Sequence, residues 1–428
     1  MSADAKASVP ATLRRLGWDP AAWSTTSDIF VILVAISLPW STTLVSIFAV
    51  ALLVSMAPFL DARAFLHSLK RPICVLPIAL FALAAVGTFW SNAPWATRLY
   101  AVGPSAKLLM LPVLLHHFER SARGVQVLVA FLVSCALLMA MSWIVAFDSD
   151  LALKPAAEYG VPVKNYIDQS QEFALCAVVL AYPVVTLLRA KRTWLAALLM
   201  ALSLSFVVNM LFVTVSRTAL VTMPVMLAVF ALLHLKWRSI VIIACVAAVS
   251  SVLAWAASPT LRRTTGTFVR DYQIYKERNI PTSLGLRLEF WQKSLRFIAD
   301  APVFGHGTGS IRGLFEDAAV DQVGAAAEVI ANPHNQTLNV AIQWGTIGVV
   351  VLYAMWLSHL LLFRGECLPA WIGLMVVLQN ISTSLFNSHL FDFNEGWIYV
   401  LGVGVAGGMV LKVGPRAAVA VPLYPAGT

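Results

Sequence analysis

Residues 124–147, GVQVLVAFLVSCALLMAMSWIVAF, form a run of 24 residues without a charged side chain. The hydrocarbon core of a bilayer is about 30 Å thick, and a helix needs roughly 20 apolar residues to cross it. This run is therefore predicted to span a membrane as a helix. Arg120 and Arg123 precede the run and Asp148 follows it, so charged residues mark both of its ends.

The rest of the chain repeats this composition. Of its 428 residues, 59% are hydrophobic and 12% are charged, and the mean hydropathy is +0.79. A soluble domain has roughly 25% charged residues, so a soluble globular enzyme is excluded. The apolar runs of spanning length are 27–40, 42–60, 72–91, 98–118, 124–147, 171–188, 193–213, 218–235, 239–257, 337–363, 368–386 and 396–411. The sequence predicts an all-α integral membrane protein with about twelve transmembrane helices, in which residues 1–428 form a single polytopic membrane domain.

Basic residues fall into alternate loops. The chain has 30 Lys and Arg against 21 Asp and Glu, a net charge of +9. Those that share one predicted side, which is the cytoplasm because basic residues resist export, are Lys6, Arg14, Arg15, Arg63, Lys70, Arg71, Arg120, Arg123, Arg189, Lys191, Arg192, Lys236, Arg238, Arg364, Lys412 and Arg416. Both termini are predicted to be cytoplasmic, and the first span is expected to remain as an anchor because no cleavage-type site follows it. With the charges placed between spans, the expected partners are membrane lipids and not nucleic acid.

One connection, residues 258–336 between the ninth and tenth spans, is much longer than the others and lies on the non-cytoplasmic side. Its basic residues are Arg262, Arg263, Arg270, Lys276, Arg278, Arg287, Lys293, Arg296 and Arg312, and its apolar residues at helical spacing are Leu284, Leu288, Trp291, Leu295 and Ile298. The apolar stripe predicts an amphipathic helix that lies against the membrane domain. The GHGTG segment, Gly305 to Gly309, lacks the Lys-Ser/Thr pair and the preceding strand of a phosphate loop, so it is predicted to be a flexible turn.

His334 is the first candidate for chemistry. It lies in the segment NPHNQ, residues 332–336, directly before the tenth apolar run. Asn332 followed by Pro333 is typical of an N-cap and the first helical position, which predicts the second helical position for His334. The partial positive charge of a helix N-terminus keeps imidazole neutral and able to accept a proton. The alternative is a histidine that only satisfies interfacial hydrogen bonds.

Two arginines are candidates for binding an anion. Arg217 lies at the tight outer turn between the seventh and eighth spans, and Arg287 lies on the amphipathic helix. Guanidinium groups match phosphate oxygens in bidentate pairs. The alternatives are contact with lipid headgroups for Arg217, and solvation or an ion pair with Glu289 or Asp271 for Arg287.

A lysine lies deep in the fourth span. Lys107 is nine residues inside it from Arg98, about 13 Å at 1.5 Å per residue, and so requires a partner or a polar cavity. It is a candidate for extending the anion-binding track, whereas a helix break at Gly103 and Pro104 would leave it solvated.

No metal or cofactor site is predicted. The five cysteines, Cys74, Cys135, Cys176, Cys245 and Cys367, show no metal-ligand spacing. The one Asp-x-Asp pair, Asp148 and Asp150, is interpreted as solvation of a helix end in preference to a Mg or Mn site.

Three blocks of sequence, in this order, carry a resemblance to a known family. They are VSRTA at 215–219, RLEFW at 287–291 followed by Pro302, Gly305 and Gly307, and PHN at 333–335 followed by WGTIG at 344–348. Together with the span layout and the long outer loop, they resemble the lipopolysaccharide O-antigen ligases of the O-antigen ligase/polymerase superfamily over nearly the whole chain.

The resemblance implies a GT-C-type glycosyltransferase of the bacterial inner membrane. Such an enzyme joins polysaccharide from undecaprenyl diphosphate to lipid A-core at the periplasmic face, with Arg217, Arg287 and His334 as its functional set. Resembling enzymes place an acidic residue where this chain has Asp392, so Asp392 is a candidate for orienting His334 or the acceptor; a plain loop carboxylate is the alternative. Many GT-C enzymes use an acidic metal motif in the first outer loop, but residues 39–43, PWSTT, contain no carboxylate.

Other functions remain open at this point. An O-antigen polymerase or a protein O-oligosaccharyltransferase of the same superfamily would share the chemistry. A transporter of lipid-linked glycans also fits twelve spans with both termini inside, although carriers show internal repeats and nothing in the first half mirrors the long loop.

Overall fold

The computed structural model describes residues 20–154 and 158–413, and within these ranges it consists of helices and their connections, without a β-strand. The helices are α1 (Pro20–Ser37), α2 (Thr42–Met56), α3 (Ala62–Ser68), α4 (Pro72–Val86), α5 (Trp95–Ala106), α6 (Met110–Phe118), α7 (Gly124–Phe147), α8 (Tyr166–Val179), α9 (Ala181–Arg189), α10 (Thr193–Phe212), α11 (Arg217–His234), α12 (Trp237–Ala257), α13 (Pro259–Arg278), α14 (Ser283–Asp300), α15 (Ile311–Asp317), α16 (Gln336–Leu362), α17 (Leu368–Thr383) and α18 (Phe393–Val413). The predicted cytoplasmic termini, with Lys6, Arg14, Arg15 and Arg416, lie outside the described residues.

Nine helical stretches of the described chain are long and apolar enough to cross a membrane. They are Pro72–Phe89, Trp95–Phe118, Gly124–Phe147, Tyr166–Arg189, Thr193–Phe212, Arg217–His234, Trp237–Ala257, Gln336–Leu362 and Phe393–Val413. The predicted first, second and eleventh spans coincide with shorter apolar helices, Ser24–Ser37, Thr42–Met56 and Leu368–Thr383. The predicted all-α, multi-pass membrane architecture is confirmed, and the count of twelve spans stays a prediction.

Helix α18 is the best buried of these candidate spans, with 78% of its most apolar window inside the protein. It packs against α6 and α17. Gly404 and Gly408 allow the close approach of α6, since a Cβ at either position would lie 2.6 Å from the Cβ of Leu114 or of Phe118. The loop that carries Asp392 runs directly into α18, so this packing also fixes the position of that loop.

The long outer connection folds into α13, α14 and α15. The predicted amphipathic helix is confirmed as α14. Its predicted apolar stripe is right at Trp291 and Ile298, which pack against a small buried cluster, but wrong at Leu295. Phe290 and Phe297 are buried and pack against Phe315 of α15 and Ile342 of α16, whereas Leu295 is 61% exposed. Apolar residues occur on both faces of α14, so spacing alone could not select the face that packs.

The GHGTG segment is a turn, as predicted, but a fixed one. Helix α16 is kinked at Gly345, which has φ +60°, and the kink leaves carbonyls of the preceding turn available to other donors. The N–H of His306 donates to the Ile342 carbonyl at 2.8 Å, and the N–H of Gly307 donates to the Gln343 carbonyl at 2.9 Å. The turn therefore fastens the outer module to the first half of α16, directly after the candidate site.

Candidate active site

His334 lies outside the helix that follows it, which corrects the predicted second helical position. Helix α16 begins at Gln336 with Asn335 as its N-cap, whose Oδ1 accepts a hydrogen bond from the Leu338 N–H at 3.1 Å. His334 adopts the left-handed conformation with φ 53°. Its own N–H donates to the side-chain oxygen of Asn332 at 3.0 Å. Asn332 therefore closes a local turn instead of capping the helix.

Hydrogen bonds from the loop before α18 fix the imidazole of His334. Its Nδ1 lies 2.9 Å from the Oδ1 of Asn387, and the Nδ2 of Asn387 donates to Asp392 at 2.7 Å. The Nδ2 of Asn332 also donates to the Oδ1 of Asn387, at 3.1 Å. An amide oxygen only accepts, so this network places the proton on Nδ1 and leaves the lone pair on Nε2 as the basic atom.

The surroundings of His334 favour the neutral ring. Burial is the main cause that lowers the pKa of His334, and the nearby charge of Arg287 lowers it further, against the opposing effect of the Asn387 hydrogen bond. Phe290 stacks on the ring with a centroid distance of 6.1 Å. The ring is therefore kept neutral by burial and a neighbouring guanidinium, and not by the helix dipole that the sequence suggested.

A cavity of about 580 Å³ is lined by three arginines, Arg217, Arg263 and Arg287, and the charge of Arg287 acts on His334. They come from three elements, the start of α11, the first turns of α13 and the first turns of α14. Arg217 lies 3.4 Å from the Oδ2 of Asp271 and also donates to Thr267. The long outer module thus brings cations that are distant in sequence to one cavity.

Arg287 has no hydrogen-bond or ion-pair partner among the residues that the structure describes. Both of its predicted alternative partners are engaged elsewhere: Asp271 pairs with Arg217, and Glu289 accepts a hydrogen bond from the Tyr275 hydroxyl at 2.9 Å. Burial and the charge of Arg217 lower the pKa of Arg287. A half-buried guanidinium in such surroundings favours a bound anion.

Lys107 and Asp392 are distant in sequence but in contact in the structure. The ammonium of Lys107 donates to the backbone carbonyl of Phe391 at 2.8 Å and to that of Asp392. The residue is 8% exposed, so the helix break between α5 and α6 does not leave it solvated. Burial raises the pKa of Asp392 to about 6, with Lys107 opposing. Lys107 lies outside the lining of the arginine cavity and holds the backbone of the loop that positions Asn387.

The acidic residues that could bind a metal lie in two separate places. Asp148 caps a short 3-10 turn by accepting from the Asp150 N–H at 3.1 Å, which matches the interpretation as a helix end. His389, Asp392 and Glu395 offer potential metal-ligand atoms within 4.8 Å of one another. Lys107 already provides positive charge beside Asp392 and Glu395, which opposes binding of a second cation there.

Residues 202–353 match the O-antigen ligase family model. The match includes Arg217, Arg287 and His334, and it confirms the resemblance to the O-antigen ligase superfamily, whose members are glycosyltransferase-like enzymes. No curated protein gave a significant match to the chain.

Two residues of the site were missed in the sequence. Asn387 lies in the polar run Asn387-Ser388-His389 after the eleventh apolar run, and this polarity so close to a span was a usable signal. Arg263 was one of nine basic residues of the outer loop, and nothing in the pattern separated it from the others. Both assignments depend on contacts between distant elements.

The field of Arg287 gives a prediction for the titration of His334. Replacing Arg287 with Gln should raise the pKa of His334 toward its ordinary value of 6.5, because a positive charge that disfavours imidazolium is removed. NMR titration of the protein labelled at histidine, with His334→Gln used to assign the resonance, measures this rise. An unchanged or lowered pKa would contradict the proximity of the two groups.

Proposed function

We propose that the chain is an O-antigen ligase. In this proposal it transfers O-antigen polysaccharide from undecaprenyl diphosphate onto lipid A-core at the periplasmic face of the bacterial inner membrane. The observation that carries the proposal is Arg287, which has no partner among the described residues, lines the arginine cavity and acts through its charge on the oriented imidazole of His334. A leaving diphosphate needs cationic groups, and an attacking hydroxyl needs a proton acceptor.

The proposed reaction is one displacement at the anomeric carbon of the donor. The acceptor hydroxyl oxygen forms the new bond to this carbon, and the bond from the carbon to the diphosphate oxygen breaks. Nε2 of His334 takes the hydroxyl proton and later releases it to water. Arg217, Arg263 and Arg287 stabilise the charge that develops on the leaving diphosphate.

Asn387 and Asp392 act as positioning residues in this scheme. The hydrogen bond from Nδ1 of His334 to Asn387 fixes the tautomer, and Asp392 orients the amide of Asn387. Lys107 supports the same loop through its backbone carbonyls. The role first suggested for Lys107, as part of the anion track, is replaced in this proposal by support of that loop.

Reconstitution of the purified chain tests the function. Liposomes should contain the chain, undecaprenyl-diphosphate-linked glycan and lipid A-core, and mass spectrometry should then find lipid A-core heavier by the glycan. Elongation of the donor when lipid A-core is omitted would favour an O-antigen polymerase. Transfer to an acceptor protein would favour a protein O-oligosaccharyltransferase, and transbilayer movement of the donor without product would favour a carrier.

The reaction is predicted to need no divalent metal. Arg217, Arg263 and Arg287 supply the positive charge at the site, so EDTA should leave the rate unchanged within about twofold. The measurement is the initial rate of the reconstituted reaction with EDTA and with added Mg²⁺ or Mn²⁺. Complete loss in EDTA that either ion reverses would contradict this prediction and direct attention to His389, Asp392 and Glu395.

A further inference from the structure

A second cavity of about 610 Å³ lies between α5 and α16, and the proposed chemistry has so far left it without a role. Its volume is within the range of about 300–1,000 Å³ that is usual for small-molecule sites. One wall is a single face of α5, formed by Thr97, Tyr100, Ala101 and Pro104 at helical spacing. Asp392 also lines the cavity.

The opposite wall of this cavity is polar. Asn339 and Gln343, one helical turn apart in α16, both line it. The Oδ1 of Asn339 accepts from the Nε2 of Gln343 at 2.8 Å, and the Oε1 of Gln343 accepts from the Gly309 N–H at 2.9 Å. The Nδ2 of Asn339 makes no hydrogen bond to another residue in the part of the chain that the structure describes, and it is not sealed from solvent. An amide donor is therefore available to a ligand.

Tyr100 gives the cavity an aromatic surface. Its side chain is 84% exposed although it lies on the lining face of α5. Aromatic rings pack against the C–H faces of sugar rings, while amides and carboxylates bind their hydroxyl groups. The combination of Tyr100, Asn339 and Asp392 is thus suited to a carbohydrate. This cavity contains one guanidinium group, that of Arg312, which pairs with Glu316 at 2.8 Å, whereas the first cavity contains three.

Each of the two cavities is connected to His334 through residues of its lining. Arg287 lines the first cavity and lowers the pKa of His334. Asn332 and Asp392 line the second, and both belong to the hydrogen-bond network that holds the His334 ring and backbone. A displacement requires the nucleophile to approach the anomeric carbon from the side opposite the leaving diphosphate, so the acceptor should come from the second cavity.

We propose that the cavity between α5 and α16 binds the acceptor oligosaccharide, with Tyr100 packed on a sugar ring and Asn339 donating to a hydroxyl group. This inference rests on the proposed ligase function. It assigns the arginine cavity to the donor diphosphate and the Tyr100 cavity to the glycan that is extended.

Binding measured without the donor tests this assignment separately from turnover. The probe is the deacylated oligosaccharide of lipid A-core, titrated by calorimetry into the purified full-length chain. Tyr100→Ala and Asn339→Ala should each weaken its binding about three- to tenfold, since one aromatic contact or one hydrogen bond is lost. Leu99→Ala is the matched control, because Leu99 neighbours Tyr100, is 64% exposed and lies outside the lining of either cavity.

A reciprocal variant sharpens the test. Tyr159 is 60% exposed and lines the arginine cavity, so Tyr159→Ala should weaken binding of the undecaprenyl-diphosphate donor and spare that of the oligosaccharide. Wild-type oligosaccharide affinity in both Tyr100→Ala and Asn339→Ala would overturn the inference, as would weakened donor binding in their place. Selective loss of oligosaccharide binding would uphold the acceptor cavity even if no transfer occurred, in which case the ligase proposal alone would fail.

Discussion

Replacing Arg287 with Ala should reduce the rate of glycan transfer about 10²- to 10³-fold, which is the usual cost of removing one group that stabilises developing charge. The effect should be large because Arg287 has no other partner among the described residues, is half-buried, and interacts electrostatically with Arg217 and His334. Arg287→Lys should recover only part of the rate, since the ammonium lacks the bidentate guanidinium geometry. The measurement is kcat/KM for the donor in the reconstituted reaction.

Two other arginine variants serve for comparison with Arg287→Ala. Arg217→Ala should also weaken donor use, but less, because Asp271 already neutralises part of the charge of Arg217. Arg278→Ala removes the same charge at the exposed end of α13, outside the cavity, and serves as the control. A folded Arg287→Ala protein with the rate of Arg278→Ala would refute the diphosphate role of Arg287.

His334→Ala should lower turnover about 10²- to 10⁴-fold, the usual contribution of a general base. Donor affinity should be largely retained, because all three arginines of the cavity remain. The pH dependence has a defined sign: Nε2 must be neutral to accept a proton, so kcat/KM should fall as the pH drops through the lowered pKa of His334. Steady-state rates across pH, together with equilibrium donor binding, measure both effects.

The competing interpretation makes His334 a ligand of the diphosphate. In that case His334→Ala would lose donor affinity and keep its rate once donor was saturating.

The pH profiles show whether an anion binds near the ring. A bound diphosphate favours imidazolium and raises the pKa of His334 in the complex, so the acid limb of kcat should lie at higher pH than that of kcat/KM. Coincident acid limbs would indicate that no anion binds beside the ring.

The membrane architecture followed from local sequence, and the site followed only in part. Apolar runs determine which segments cross a membrane, because length and hydropathy act within one helix. The buried face of α14 could not be read in the same way, since Leu295 and Phe297 are both apolar and only the positions of Phe315 and Ile342 select Phe297.

The environment of His334 depends on choices that short-range patterns leave open. Asn332 and Asn335 are both good N-cap residues, and the structure uses Asn335 for the helix and Asn332 for the turn. The partner of the ring, Asn387, lies 53 residues further along the chain. Such pairings come from the packing of α16, α17 and α18, which no spacing rule encodes.

In the proposed mechanism the arginine cavity holds the diphosphate and His334 performs the proton transfer. The most direct test is the single-turnover rate at saturating donor, measured side by side for His334→Ala and the wild type. If His334 is the general base, the His334→Ala rate should stay about 10²- to 10⁴-fold below wild type however much donor is added. A single-turnover rate equal to wild type at saturating donor would contradict it.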